Sequence, residues 1–582
     1  MRHWHSTERT WRLISGTLLA LLVIPAVSAV AVETPWGNSL GYTKLQQRLG
    51  AAMPIGAGGT ISLVEASPSN GSGSYLVDVS GPEFNGSLDP SGAPVVLTDG
   101  SSAAHTGFSS HATWTVGQYF FGNTQSFAPG ADSVVNYDAN AWLSSTLRVA
   151  GTAPPDAQPY RVQNFSWVSA DSASSPPGAQ ELAALRRLDY LIETGETTAV
   201  VGANNAISFT ALRAHPALFA HSYNAIVVGR TDGGHSRGQT SSFYGPGRYR
   251  PDVVAPSTAT SSATALISSM AAMLHETAAG TDAARSEVMR AIIMAGATKT
   301  EFANWLDQTS GVINPWNHTQ TRPLDDVFGA GEANVYNSYS IQIGGKQSAS
   351  AAAPAAAVKP YGWDYQDRKS DAAVGDLYYN FEVAAGSTAS ELSIMLNWNA
   401  KITDTNADPN IFTPVQSLQN LDLQFYDSSN SFMGTMIDQS ISTVDNVEHI
   451  YLTNLGPGTY TLKVSGAANW DYGLAWRMAT SFNSPNADFN ADGVVDGADF
   501  LVWQRNSTML VNATNSQGDA DGDGDVDADD LELLKNLFGT TTAPPMAVSM
   551  VAAVPEPAAV ALAAAGVASL GMMTRLTANR RK

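Results

Sequence analysis

Cysteine is absent from all 582 residues. That excludes disulfides, thiolate-ligated zinc and thiol catalysis in one step. Positive charge is scarce as well. The 31 Lys and Arg stand against 52 Asp and Glu, a net charge of −21. A nucleic-acid binder needs cationic surface to meet phosphates, so the charge argues against that class. Long apolar runs are also missing. "LISGTLLALLVIPAV" near the N-terminus and the Ala-rich run near the C-terminus both fall short of the ~20 residues that span a bilayer comfortably.

What is present suffices for several folded domains. Apolar residues make up 44% of the chain, and the length exceeds one ordinary domain. The start reads as an export signal over residues 1–29: a basic "MRHWHSTERTWR", an apolar stretch, and small residues Ala26 and Ala29 for cleavage. Export without disulfides suits domains large enough to hold real cores.

Residues 33–340 alternate short apolar strands with helical patterns: "TISLVEA", "QELAALRRLDYLIETG", "TTAVVGA", "NAIVVGRTD". Such alternation predicts βαβ units on a parallel sheet, an α/β fold. "SASAAAPAAAVKP", within 345–362, reads as a linker. Over 363–480 the pattern becomes period-two runs between turn residues, as in "LYYNFEV" and "TYTLKVSG". That predicts an antiparallel β-sandwich. Residues 483–540 are rich in Asp, Gly and Asn, 541–553 form a second linker, and 554–582 form a tail.

The chemistry concentrates at "RPDVVAPSTATSSATALISSMAAML". A short strand ending at Pro256 precedes a helix of small apolar residues, and Ser261 stands at the helix start. Free backbone N–H groups and the positive end of the helix dipole surround such a serine and can hold an oxyanion. Taken alone, the stretch reads more readily as a capped helix. Three other stretches extend it: "SSHATWTVGQYFFGNTQSFAPGADSVVNY" around His111, the strand "TISLVEA" ending near Glu65, and "TTAVVGANNAIS" with Asn204. Together, and in this chain order, they resemble the subtilisin-like serine peptidases. The resemblance implies a subtilisin-like parallel-sheet fold over 33–340 and peptide-bond hydrolysis of a protein or peptide substrate. It places Ser261 as nucleophile, His111 as base, Glu65 as the acid orienting it, and Asn204 as the oxyanion amide, with Asn205 its competitor one residue on. The chain departs from the family at Ala259 (a glycine there), Ala265-Leu266 (Pro-His), Ala112 (glycine), Trp114 (histidine) and Glu65 (aspartate). These departures keep open a second expectation, an inactive scaffold of the same fold that binds or assembles. His105 is a nearby histidine in poorer register.

The segment 363–480 looks like the sandwich often appended to secreted subtilases, serving stability or substrate binding. Residues 483–540 carry a duplicated acidic motif, "DFNADGVVDGAD" and "DADGDGDVDADD". Oxygen donors recur at positions 1, 3, 5, 9 and 12, with glycine at 6, a spacing that suits Ca²⁺. The candidates are Asp488, Asn490, Asp492, Asp496 and Asp499, then Asp519, Asp521, Asp523, Asp527 and Asp530. The carbonyls of Val494 and Asp525 sit at position 7. Each loop leads into a short helix. Two such units resemble a dockerin type I module, a small α-helical fold with two Ca²⁺ ions, and this implies a cohesin-type partner. The tail, with Pro555-Glu556-Pro557, an apolar run and Arg580-Arg581-Lys582, resembles a PEP-CTERM sorting signal. That implies transient membrane anchoring, trimming by an exosortase-type enzyme, and a final place at the cell surface or outside it.

Overall fold

The computed structural model describes residues 36–541 apart from 68–72, 85–93, 102–104, 170–177, 211–213, 217, 241–243, 370–374 and 467–469. The expected signal over 1–29 and the tail over 554–582 lie outside the described residues. Among the described residues, no helix is long and apolar enough to cross a membrane. The chain divides into two compact units. One comprises residues 1–483 with 510–512; the other comprises 484–509 and 513–582.

The first unit opens with a sheet of seven strands. They are β1 (Thr60–Glu65), β2 (Val96–Asp99), β3 (Ser133–Asp138), β4 (Val162–Phe165), β5 (Thr198–Gly202), β6 (Ile226–Arg230) and β7 (Val253–Ala255). Their spatial order is β2-β3-β1-β4-β5-β6-β7, and every neighbouring pair is parallel. Two helices cover it, α1 (Ala179–Gly195) and α2 (Thr260–Ala278). Successive strand residues point to opposite faces. Leu63 and Val200 share a core with Leu266, Met270 and Met273 of α2. Their neighbours Val64 and Val201 share another with Leu185, Leu188 and Ile192 of α1. The helices therefore lie on opposite faces, which is why β5, "TAVVG", is buried at every position instead of alternating. Helix α2 is buried nearly all round, so its sequence is small and apolar on every side.

The sandwich follows in the same unit. Its strands are β8 (Tyr361–Asp367), β9 (Leu377–Val383), β10 (Ser387–Asn397), β11 (Asp422–Asp427), β12 (Thr435–Ser440), β13 (Val447–Leu455), β14 (Gly458–Ser465) and β15 (Asp471–Phe482). They form two four-stranded antiparallel sheets, β8-β15-β10-β13 and β9-β14-β11-β12. Phe381, Trp398, Phe425, Leu462 and Trp476 fill the space between them. Helix α3 (Ser286–Ala295) packs against this sandwich closely enough that only glycine fits at 473. A Cβ there would lie 2.7 Å from the Val288 backbone. The α/β domain and sandwich expected from the sequence are thus present. The stretch expected to be a linker is tied down in part, through bridges from Lys346 to Trp363 and from Ser350 to Tyr378.

The second unit holds two loop–helix repeats. The helices are α4 (Gly497–Asn506) and α5 (Ala528–Leu537), capped by Asp496 and Asp527. In each, the aspartate three residues beyond the cap closes a capping box with it, Asp499 in the first and Asp530 in the second. Ala487, Phe489, Val495, Ala520 and Leu534 form the small core.

Candidate active site and acidic loops

In an open parallel sheet, side chains converge at the carboxyl ends of the strands, where the strand order reverses. Here β1 lies between β3 and β4, and its last residue is Glu65. Three of the four candidates meet there. His111 Nδ1 lies 3.0 Å from Glu65 Oε1, and His111 Nε2 lies 3.1 Å from Ser261 Oγ. Glu65 Oε1 also accepts the Ala66 N–H at 3.1 Å. The side chain is thus held at its own strand end, which accommodates the methylene by which it exceeds aspartate.

Each group owes its place to local structure. His111 begins a helix wound as a π-helix over His111–Gly117, a wide winding often found at functional sites. Ser261 is the second residue of α2, where no carbonyl of the helix can reach its N–H. Its hydroxyl lies 3.2 Å from the Ser166 carbonyl, and the Ser166 hydroxyl donates to the Ser261 carbonyl at 2.9 Å. Ala259, where the resembled family has glycine, sits at φ −142° and ψ 143°. That is extended backbone open to any residue, so the alanine costs no strain.

The electrostatics follow from burial. Glu65 is 2% exposed. Burial pushes its carboxyl up, opposed by the hydrogen bond and charge of His111. Among the described residues, its Oε2 is buried without a hydrogen-bond partner. Burial pushes the His111 imidazole down, but the hydrogen bond and charge of Glu65 outweigh it, and the net shift is upward. The imidazole is thus a stronger base than in water, with 42% of its side chain exposed at the mouth of the site. A cleft of 230 Å³ opens beside Ser261, with Trp167, Val168 and Ala203 in its walls.

Asn204 and Asn205 both line this cleft but are held differently. Asn204 is 4% exposed. Its N–H donates to Ser236 Oγ at 3.0 Å, and its carbonyl accepts the Ser236 N–H at 2.7 Å. Asn205 is half-buried, and its Oδ1 accepts the Thr260 N–H at 2.8 Å. That bond ties the Asn205 amide to the residue before Ser261. Sequence reasoning missed Ser166 altogether. A serine directly after "VQNF" carries no signal of its own, and only the meeting of β4 with the start of α2 brings it to Ser261. His105 packs edge-on to Tyr75 and approaches Asp99 at 3.7 Å; it is not among the residues lining the cleft.

In the second unit, the carboxylates gather most closely in the second loop. Ligand atoms of Asp519, Asp521 and Asp523 lie within 4.8 Å of one another, as do those of Asp525, Asp527 and Asp530. Asp525 enters through its side chain, whereas the spacing pointed to its carbonyl. Burial, with neighbouring carboxylates adding to it, pushes Asp519 up to about 7 and Asp523 up to about 8. Asp530 rises to about 6, again mainly by burial. Like charges held this close fit a site built for a hard cation. In the first loop, the Asn490 amide instead donates to Asp492 Oδ2 at 2.9 Å. There Asp488 accepts the Gly493 N–H at 2.9 Å and Asp499 accepts the Phe489 N–H at 2.7 Å. Asp519 and Asp530 make the matching bonds in the second loop, to the N–H groups of Gly524 at 3.1 Å and Ala520 at 2.7 Å. Asp496 accepts from Ala498 as the helix cap, and Val494 pairs with Thr541 in a backbone bridge.

No family model matches the chain, and no curated protein matches it. Solved structures do. A serine protease of Aeromonas sobria is 14% identical, with the match covering 73% of this chain and 89% of that one at a TM-score of 0.32. The periplasmic lysozyme inhibitor PliG of Aeromonas hydrophila is 9% identical over 20% of this chain and 82% of its own, at 0.13. A fucose binding module of Streptococcus pneumoniae is 18% identical over 20% of this chain and 72% of its own, at 0.12. At TM-scores this low, none of these likenesses bears on what the chain does.

Proposed function

We propose that the first unit is a serine endopeptidase of the subtilase type. The observation that carries this reading is the continuous chain of hydrogen bonds from buried Glu65 through His111 to Ser261 at a helix N-terminus. Ser261 Oγ attacks the scissile carbonyl as its proton passes to His111 Nε2. Glu65 holds the Nδ1 proton and stabilises the imidazolium. His111 then returns the proton to the amine as the C–N bond breaks, and a water that gives its proton to His111 hydrolyses the ester left on Ser261. The Ser261 N–H and the Asn205 side-chain amide stabilise the oxyanion. Asn205 is preferred to Asn204 in this role because its Oδ1 is fixed on the Thr260 N–H, which turns the amide toward the serine end of α2.

The second unit, on this reading, is a dockerin-like module whose two loops each take one Ca²⁺. The residues fit such an ion by donor type and spacing. Asp519, Asp521, Asp523, Asp527 and Asp530 would hold it in the second loop, and Asp488, Asn490, Asp492, Asp496 and Asp499 in the first. The ion would neutralise the clustered charge. A cohesin-type domain is the proposed partner. The protein is exported, and an exosortase-type enzyme releases it from a transient membrane anchor to the cell surface.

A fluorophosphonate probe tests the catalytic reading. Ser261 Oγ would form a bond to phosphorus as fluoride leaves. Labelling should occur in the parent and vanish in Ser261→Ala and His111→Ala. Folded parent protein that does not label would instead establish the inactive-scaffold reading.

A further inference from the structure

Helix α2 carries Ser261 at its start and ends at Ala278, ~26 Å away at ~1.5 Å per residue. That far end meets two cavities that bond cleavage does not use. They measure 730 and 430 Å³ and share Arg161, Gly280 and Ala284. Arg161 directly precedes β4, and Thr60, in the smaller cavity, opens β1. Both cavities therefore lie at the amino ends of the strands, the pole opposite Glu65 and His111.

The carboxylates of Glu196, Asp282 and Glu276 line these cavities, and each is answered within the fold. Glu196 accepts from Arg285 Nη1 at 2.7 Å and from the Ser286 N–H at 3.1 Å. Asp282 accepts from Lys346 Nζ at 2.7 Å and from Arg285 Nε at 3.2 Å. Glu276 Oε2 accepts the N–H groups of Ile55, Gly56 and Ala57 at 2.8, 2.7 and 3.0 Å. Carbonyls at the end of a helix repel anions, but here donors cover them. Gln342 Nε2 donates to the Leu274 carbonyl at 2.9 Å, and Thr281 Oγ1 to the Ala278 carbonyl at 2.8 Å.

Arg161 is the exception. Among the described residues, its guanidinium makes one long bond, from Nη1 to the Glu196 carbonyl at 3.4 Å, and no ion pair. A lone exposed arginine is ordinary, but this one stands where two cavities join. His275 lines the smaller one and is 8% exposed. Its Nε2 meets Thr198 Oγ1 at 2.9 Å, and among the described residues its Nδ1 is buried without a partner. Burial, with the charge of Arg161 adding to it, pushes the imidazole down to about 3, so it stays neutral. Trp363 and Ile343 give the larger cavity an apolar wall.

We propose that the joined cavities bind an organic monocarboxylate, its carboxylate on Arg161 and its body along Trp363 and Ile343. A planar guanidinium matches a carboxylate with two parallel N–H bonds. A dianionic phosphate fits less well, because one unmatched cation stands among several carboxylates in a chain of net charge −21. The larger cavity alone falls within the ~300–1,000 Å³ that hold drug-sized ligands. A free organic acid and the C-terminus of a short peptide present the same group. Such a site acts whether or not Ser261 is a nucleophile.

The test uses the full chain with Ser261→Ala, which cannot cleave what it binds. Fluorescence anisotropy follows dansyl-Ala-Ala-Val as the free acid and as the C-terminal amide. The acid should bind on the order of 10–100-fold more tightly. Arg161→Ala should abolish that difference, and Arg161→Lys should restore part of it by returning the charge without the fork. Thermal melts check that both variants fold. Competition with benzoate and benzamide identifies the source. Displacement by benzoate alone shows that a free acid suffices; a peptide acid that benzoate leaves in place shows that the peptide body is read as well. Equal binding of acid and amide, or a preference that survives Arg161→Ala, would overturn the proposal. Fluorophosphonate labelling of the parent is a separate readout, and its failure would overturn the peptidase reading alone.

Discussion

Replacing Glu65 separates an orienting carboxylate from an ordinary strand-end acid. Glu65→Gln keeps the shape and removes the charge. Two unit charges 3.0 Å apart attract by about 5 kcal/mol at an effective dielectric near 20. The His111 side chain is 42% exposed, and solvent screening there lowers that figure to roughly 3 kcal/mol. The charge contribution alone is then on the order of 100-fold in rate. The amide can also hold His111 in the wrong tautomer, which brings the expected loss in kcat to 10³–10⁴-fold or about that order. The pH profile gives a second reading. His111 must be neutral to take the proton, so activity falls as pH drops through its pKa. In the parent that pKa is raised from 6.5, and the acid limb of kcat/KM should have its midpoint above that value. In Glu65→Gln only burial remains, so the midpoint should move below it. Glu65→Asp shortens the side chain by about 1.5 Å and opens the 3.0 Å contact, so activity should fall there too. The assay is steady-state hydrolysis of a neutral peptide from pH 5 to 9. A Glu65→Gln protein retaining a tenth of parental kcat/KM, with an unmoved acid limb, would refute the orienting role. A rise in Glu65→Asp would mark Glu65 as an unrepaired departure.

Asn205→Ala should lower kcat by about 10²–10³-fold with little change in KM, whereas Asn204→Ala should act mainly through stability; steady-state kinetics and thermal melts separate the two. Removing Ca²⁺ should unprotect α4 and α5, because short helices over clustered carboxylates do not persist without a counter-ion. Hydrogen exchange on the full chain with and without chelator reads this, and unchanged protection would refute the calcium reading. Its pH dependence has a definite sign. The folded pKa of Asp519 is raised from 3.8 to about 7, so the ion-free loop loses stability as pH rises through that window. Chelation should therefore harm the second unit more at pH 8 than at pH 4. Gly473→Ala should destabilise the first unit by about 1–3 kcal/mol, since its Cβ would meet the Val288 backbone at 2.7 Å; an unchanged melting temperature would refute that contact.

How far the sequence could be read depended on whether a residue's position was set by local pattern or by neighbours distant in the chain. Strand β1, helix α2 and the sandwich strands were legible because each buries a face, and burial writes a period into the sequence. Glu65, His111 and Ser261 were legible because each stands at the end or start of such an element. The choice between Asn204 and Asn205 was not. "GANN" offers two adjacent amides, which the structure holds differently, Asn204 on Ser236 and Asn205 on the Thr260 N–H. Ser166 was invisible because its place depends on the end of β4 meeting the start of α2, a contact between residues 95 apart in the chain. The acidic spacing was legible in both loops, but not the tighter gathering around Asp519, which depends on burial.

The departures from the resembled family differ in what they cost. A glycine matters where the backbone needs positive φ or another chain passes too close for a Cβ. Ala259, at φ −142°, needs no positive φ, so this substitution puts no backbone strain at the start of α2. Trp114, half-exposed at the surface, replaces a histidine without entering the bonds among Glu65, His111 and Ser261. Glu65 is different because it lies within that chain of bonds. Its extra length is held by the Ala66 N–H, but among the described residues its second oxygen is buried without a partner, which is costly for a carboxylate unless its charge is used. Among the described residues, the cation in its reach is His111 once protonated. Among the departures, then, the one that looks most like decay is also the one whose cost is recovered only when His111 carries a proton, the state that peptide hydrolysis passes through.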